Sequence, residues 1–126
     1  MAKVLVVDDD PDVTEACALI LEKEGHEVSS VHSREEGMKA VAGFQPDLMI
    51  LDVMMEQADD GMRMAQDLRR EGFQKPILML TSISKVTGLD YSEGSPVVPV
   101  DEFVEKPVEP AVLVEKVTEL LQKGEG

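Results

Sequence analysis

A chain of 126 residues with 43% hydrophobic content has the size of one domain and can bury a core without disulfide staples. Its net charge of −14 argues against direct nucleic-acid binding, which needs clustered Lys and Arg, and against adhesion to an anionic membrane. The single cysteine, Cys17, excludes an intrachain disulfide or a zinc cluster, while the acidity suits a partner with a basic patch.

Met1-Ala2-Lys3-Val4 runs straight into a strand-like segment and lacks the organisation of a signal peptide. With no apolar stretch long enough to span a bilayer, a cytoplasmic protein is expected. Val4-Leu5-Val6-Val7 is short, rich in β-branched residues and ends in acids, as a buried strand does. Asp10 then caps a helix with Pro11 at its first position. Val13, Cys17, Ile20 and Leu21 share one face of that helix, which stops at Gly25, so Cys17 is expected to be a buried core thiol. Glu27 to Val31 alternates as a second strand. Ser33-Arg34-Glu35-Glu36 has capping-box spacing and opens a helix expected to end near Gly43.

Leu48-Met49-Ile50-Leu51 is a third buried strand, ending at Asp52. Gly61 to Arg70 reads as a helix stopped by Gly72, and Ile77-Leu78-Met79-Leu80 as a fourth strand ending at Thr81. Between residues 84 and 100, Gly88, Gly94, Pro96 and Pro99 forbid a long helix. One short helix after Ser82, followed by a loop, is the most that they allow. Phe103-Val104 forms a short fifth strand. Pro110 opens the last helix, with Leu113, Val117, Leu120 and Leu121 on its apolar face. Residues 1–123 are expected to form one domain, and Gly124-Glu125-Gly126 a frayed tail.

This alternation predicts an α/β fold: a doubly wound, five-stranded parallel sheet with helices on both faces. Ligands of such sheets bind beyond the carboxyl ends of the strands. That rule gathers Asp8, Asp9 and Asp10 after the first strand, Asp52 after the third, Thr81 and Ser82 after the fourth, and Lys106 after the fifth. Taken singly, each has a plainer role as a helix cap, a loop residue or a solvated charge. Together they suggest chemistry. Clustered carboxylates repel unless a cation such as Mg²⁺ or Mn²⁺ sits among them. A carboxylate beside a metal and a lysine can attack phosphorus, and Thr81 can donate a hydrogen bond to a phosphoryl oxygen.

Four segments carry a resemblance: Val6-Val7-Asp8-Asp9-Asp10, Leu51-Asp52-Val53-Met54-Met55, Leu80-Thr81-Ser82 and Phe103-Val104-Glu105-Lys106-Pro107. From Val4 to Leu121 the chain resembles the receiver domain of bacterial two-component response regulators, which have a flavodoxin-like (βα)5 fold. The resemblance implies that Asp52 is the phosphoacceptor. It implies that Asp9, Asp52 and the backbone carbonyl of Met54 bind Mg²⁺ directly, with Asp8 assisting through water. Thr81 and Phe103 would be the switch pair, Lys106 would pair with phosphoryl oxygens, and the Lys106-Pro107 bond would be cis. The implied partners are a histidine kinase or histidine phosphotransfer protein and an unidentified downstream protein in a phosphorelay. A phosphoryl group that gained three charge-assisted hydrogen bonds, at roughly 1.5–3 kcal/mol each, could supply the ~5.5 kcal/mol needed to invert a 1:99 population.

The chain departs from the receiver pattern in two loops. Glu56 stands where receivers usually carry Pro, and Asp60-Gly61 comes one residue late. The stretch from Ser82 to Val100 is longer and richer in Gly and Pro than usual, so the fourth helix is expected to be short, displaced or missing, and Tyr91 to anchor the loop. Three other readings compete. In a phosphatase of the haloacid dehalogenase type, Asp8 would be the nucleophile and Asp10 its partner. A constitutive binding module would carry a silent site. A flavodoxin-like cofactor binder is weakened by the few aromatics and the lack of a phosphate-cradling Gly-rich loop. In receivers, the positions two after the phosphoacceptor and two after the switch Thr tune hydrolysis. Here they are Met54 and Ile83, and neither can orient a water. Slow loss of the phosphoryl group is therefore expected, measured by mass after donor removal. A short half-life that Met54→Asn with Ile83→Glu leaves unchanged would contradict this.

Overall fold

The computed structural model describes residues 2–52, 60–81, 100–105 and 108–125. Among these residues the chain forms β1 (Lys3–Val7), α1 (Pro11–Lys23), β2 (Glu27–Val31), α2 (Arg34–Phe44), β3 (Leu48–Asp52), α3 (Asp60–Arg70), β4 (Ile77–Thr81), β5 (Glu102–Glu105) and α4 (Pro110–Glu125). The strands make one parallel sheet in the order β2-β1-β3-β4-β5. This is the expected doubly wound α/β architecture. The helix expected between the fourth and fifth strands, with Ile83 and Tyr91, lies outside the described residues, as do Met54, Glu56, Ser82 and the Lys106-Pro107 bond.

Strand pleating sorts the apolar runs into two cores, because successive side chains point to opposite faces. Val4, Val6, Leu48, Ile50, Leu78 and Leu80 meet α1 and α4 on one face, and Cys17 is buried there as expected. Leu5, Val7, Met49, Leu51, Ile77 and Met79 meet α2 and α3 on the other. β3 and β4 are buried along their whole length. Their continuous apolar runs reflect cover on both faces. The edge strands β2 and β5 are only partly buried, which fits their more polar sequences.

The helix ends show where local chemistry governs. The Asp10 side chain accepts a hydrogen bond from the Asp12 N–H (2.9 Å), as an N-cap should, with Pro11 in the first turn. Ser33 caps α2 by accepting from the Glu36 N–H (3.1 Å). The reciprocal half of the box differs from its usual form: Glu36 Oε1 accepts from the His32 N–H (3.3 Å), one residue before the cap. Gly37 in α2 gives room for α3, since a Cβ there would lie 2.6 Å from Met64 Cε.

The end of α2 falls near Gly43, as expected, and α4 runs further than its sequence suggests. α2 continues through Gly43 to Phe44, and Gln45 takes the left-handed conformation (φ 53°), its N–H donating to Val41 O. Phe44 packs against the α2–α3 core, and that burial outweighs the preference for a glycine stop. α4 carries helical backbone through Gly124 to Glu125, past the expected start of a frayed tail. One Gly in a helix costs only about 1 kcal/mol against Ala, too little to end it alone.

A left-handed L-residue is strained by about 1–2 kcal/mol, and glycine relieves this. Gln45→Gly should therefore raise unfolding stability by about 1 kcal/mol in urea titrations with no change in m-value. A loss of stability would show that the Gln45 side chain contributes more than its backbone strain costs.

Candidate functional site

The sheet order places the site. The chain leaves β1 towards β2 on one side and returns to β3 on the other, so a crevice opens between β1 and β3 at their carboxyl ends. Asp8 follows β1 and Asp52 is the last residue of β3, so both line this crevice. Thr81 ends β4, the next strand along. Asp8 is fully buried, and Asp52 and Thr81 are each 5% exposed, whereas Asp9 is exposed.

One carboxylate oxygen from each of Asp8, Asp9 and Asp52 lies within 4.8 Å of the others. At that separation a pair of carboxylates repels by about 3–4 kcal/mol at an effective dielectric of about 20, with the exposed Asp9 more screened than the buried pair. Local hydrogen bonds hold part of the cluster. The Asp8 N–H donates to Val31 O (3.2 Å), and Asp8 Oδ1 accepts from the Asp10 N–H (2.9 Å). Asp10 itself is occupied in capping α1. The cluster therefore comprises Asp8, Asp9 and Asp52, whereas a dehalogenase-type pair would need Asp8 and Asp10.

Thr81 Oγ1 is buried and makes no hydrogen bond among the described residues. An unsatisfied buried hydroxyl is costly, which suits a group that accepts from or donates to a ligand. Phe103 lies on β5 opposite Met79 and packs, half-buried, against the α2–α3 core. Thr81 and Phe103 thus stand on adjacent strands. The other candidate residues, Met54, Ser82 and Lys106, lie outside the described residues.

His32 is a residue that sequence reasoning misses, although it follows β2 as Asp8 follows β1, with Val31 opposite Val7. Its Nε2 lies 3.3 Å from Oγ1 of the buried Thr14, whose hydroxyl also donates to Pro11 O (3.0 Å). The strand-end rule, extended to β2, finds it. Among the described residues, no helix is long and apolar enough to cross a membrane.

The donor set fits a hard divalent cation, since it offers only carboxylate oxygens from two adjacent strands. Zinc or copper sites draw on His and Cys, and neither joins this cluster.

Comparison with known proteins agrees with this geometry. The sequence profile described as "Response regulator receiver domain" matches residues 4–118. The transcriptional regulatory protein AfsQ1 of Streptomyces coelicolor is 35% identical over 99% of this chain and 53% of its own length. The alkaline phosphatase synthesis transcriptional regulatory protein PhoP of Bacillus subtilis is 32% identical over 98% of this chain and 50% of its own. The chain thus spans about half the length of these curated relatives. Among solved structures, the BeF3-activated N-terminal receiver domain of RstA from Klebsiella pneumoniae superposes with a TM-score of 0.76 at 31% identity, over 95% of this chain and 98% of that one. With the fold, the carboxylate crevice and the profile in agreement, the chain belongs to the response regulator receiver domain family, the signalling domain of two-component systems.

Proposed function

We propose that Asp52 is the phosphoacceptor of this receiver domain and that residues 1–123 are its working unit. The observation that carries the reading is the meeting of the Asp8, Asp9 and Asp52 carboxylates in the β1/β3 crevice. Asp52 sits at the end of a fully buried strand, which fixes the position of its carboxylate at the crevice.

Asp8, Asp9 and Asp52, with the backbone carbonyl of Met54, would hold Mg²⁺ or Mn²⁺. When bound, the cation supplies charge neutralisation for the carboxylates and for the transferring oxygens. The rest is done by the chain. An Asp52 carboxylate oxygen forms the bond to phosphorus as the donor's P–N bond breaks, and the donor imidazole takes the electron pair and then a proton from solvent. Thr81 donates its otherwise unsatisfied hydroxyl to a phosphoryl oxygen, and Lys106 pairs with another. Phe103 follows Thr81 because the two strands share one ladder. The domain in this way assists its own phosphorylation and, slowly, its hydrolysis.

The donor is a histidine kinase or histidine phosphotransfer protein in the cytoplasm. Downstream output lies in a protein or domain that reads the switched surface. AfsQ1 and PhoP are named as transcriptional regulators, and a comparable output for this chain would need a segment beyond the receiver.

Incubation with acetyl phosphate and Mg²⁺ should add one phosphoryl group to the intact mass. EDTA or Asp52→Asn should abolish the gain. A gain that survives Asp52→Asn, or no gain in the wild type, would contradict the assignment.

A further inference from the structure

We propose that Arg69, at the end of the sheet opposite the carboxylates, is a positioning residue for phosphoryl transfer, because it clamps the origins of β4 and β5 together. The proposal rests on the reading of Asp52 as phosphoacceptor. Arg69 Nη1 donates to Phe73 O (2.9 Å) and Lys75 O (2.8 Å), in the turn that leads from α3 to β4. Arg69 Nη2 donates to Asp101 Oδ2 (2.9 Å), just before β5. The same Asp101 oxygen accepts the Ile77 N–H (2.9 Å), and the Asp101 N–H donates to Ile77 O (2.9 Å). One guanidinium therefore joins the end of a helix and the turn after it to Asp101, whose carboxylate also holds the first residue of β4.

An isolated ion pair at this degree of exposure would contribute little. This one differs because its carboxylate also takes a backbone N–H, so the pair fixes strand register as well as charge. β5 has most need of this. Among the described residues it is a four-residue edge strand with β4 as its single neighbour. A one-residue slip would turn Phe103 away from the face it shares with Met79.

From the clamp, both strands run the same number of steps to the rim. Ile77 leads to Thr81 and Asp101 to Glu105, and Thr81 and Glu105 are register partners. At about 3.3 Å per residue the span is about 13 Å. Lys106 follows Glu105 in sequence. Thr81, expected to meet a phosphoryl oxygen, therefore belongs to the clamped pair of strands. The carboxylates belong to β1 and β3, which receive no hydrogen bond from Arg69 or the Asp101 side chain, and β3 meets the clamp only through its ladder with β4.

This division yields a readout that a merely stabilising contact would not move. Arg69→Met keeps the apolar stem and removes the fork, while Asp101→Asn keeps an acceptor and removes the charge. Both are assayed with the wild type at a temperature where circular dichroism shows each folded. The Mg²⁺ dissociation constant, by calorimetry, should stay within about twofold of wild type, as expected for distant, independent sites. The rate of phosphoryl gain from acetyl phosphate, by intact mass, should fall about ten- to a hundred-fold, as a small misplacement of reacting groups can produce. An unchanged rate in Asp101→Asn or Arg69→Met would overturn the proposal, and so would a rate that falls only in step with Mg²⁺ affinity. A wild type that gains no phosphoryl group would overturn the underlying reading, and the positioning role with it.

Discussion

Three carboxylates held at one crevice are the constraint on which the rest of this molecule depends. Asp8 and Asp52 are removed from water, and each must keep its place against the other's charge. Left to itself such a cluster would open or fill with solvent. It persists because its members are anchored on the two most protected ladders of the sheet, β1 with β3 and β3 with β4. On the proposed reading, a divalent cation would relieve the repulsion and Asp52 would take the phosphoryl group.

The site divides between the centre and the edge of the sheet. Carboxylates occupy the central crevice, where both faces are packed and movement is expensive. Thr81 and Phe103 occupy the side towards the edge strand, where β5 has one neighbour and partial cover. The proposed binding groups thus lie in the doubly covered part of the sheet, and the proposed switch pair spans its boundary with the edge strand. Phe103 rests on the core that contains Met49, Met62, Met64 and Met79, unbranched side chains that repack more readily than Leu or Ile. The core on the opposite face contains no methionine among its described buried residues.

Much of this is legible in the sequence, for identifiable reasons. The strands β3 and β4 stand out because a continuous apolar run of four residues, closed by Asp52 or Thr81, suits a strand covered on both faces and little else. Asp10 with Pro11, and Ser33 with Glu36, mark helix starts through chemistry confined to one turn. Where the outcome depends on tertiary packing, the local signal is incomplete. Gly43 marks where α2 nears its end, while the packing of Phe44 sets the last residue and leaves Gln45 in the left-handed region. The Arg69–Asp101 clamp joins residues 32 apart, both of kinds common on any surface, and only the folded sheet brings them together. His32 escapes notice because β2 carries no reactive acid at its end, although topology sets it beside Asp8.

The carboxylate cluster is held together against its own charge, and a divalent cation is proposed to complete it. The most direct test compares urea unfolding of the wild type and Asp52→Asn, each with and without saturating Mg²⁺. Without the cation, Asp52→Asn should be the more stable of the two, since it removes one charge from the cluster. With Mg²⁺ the wild type should gain stability, and Asp52→Asn should gain much less. A variant less stable than wild type in the absence of Mg²⁺, together with a wild-type midpoint that Mg²⁺ leaves unmoved, would contradict the account.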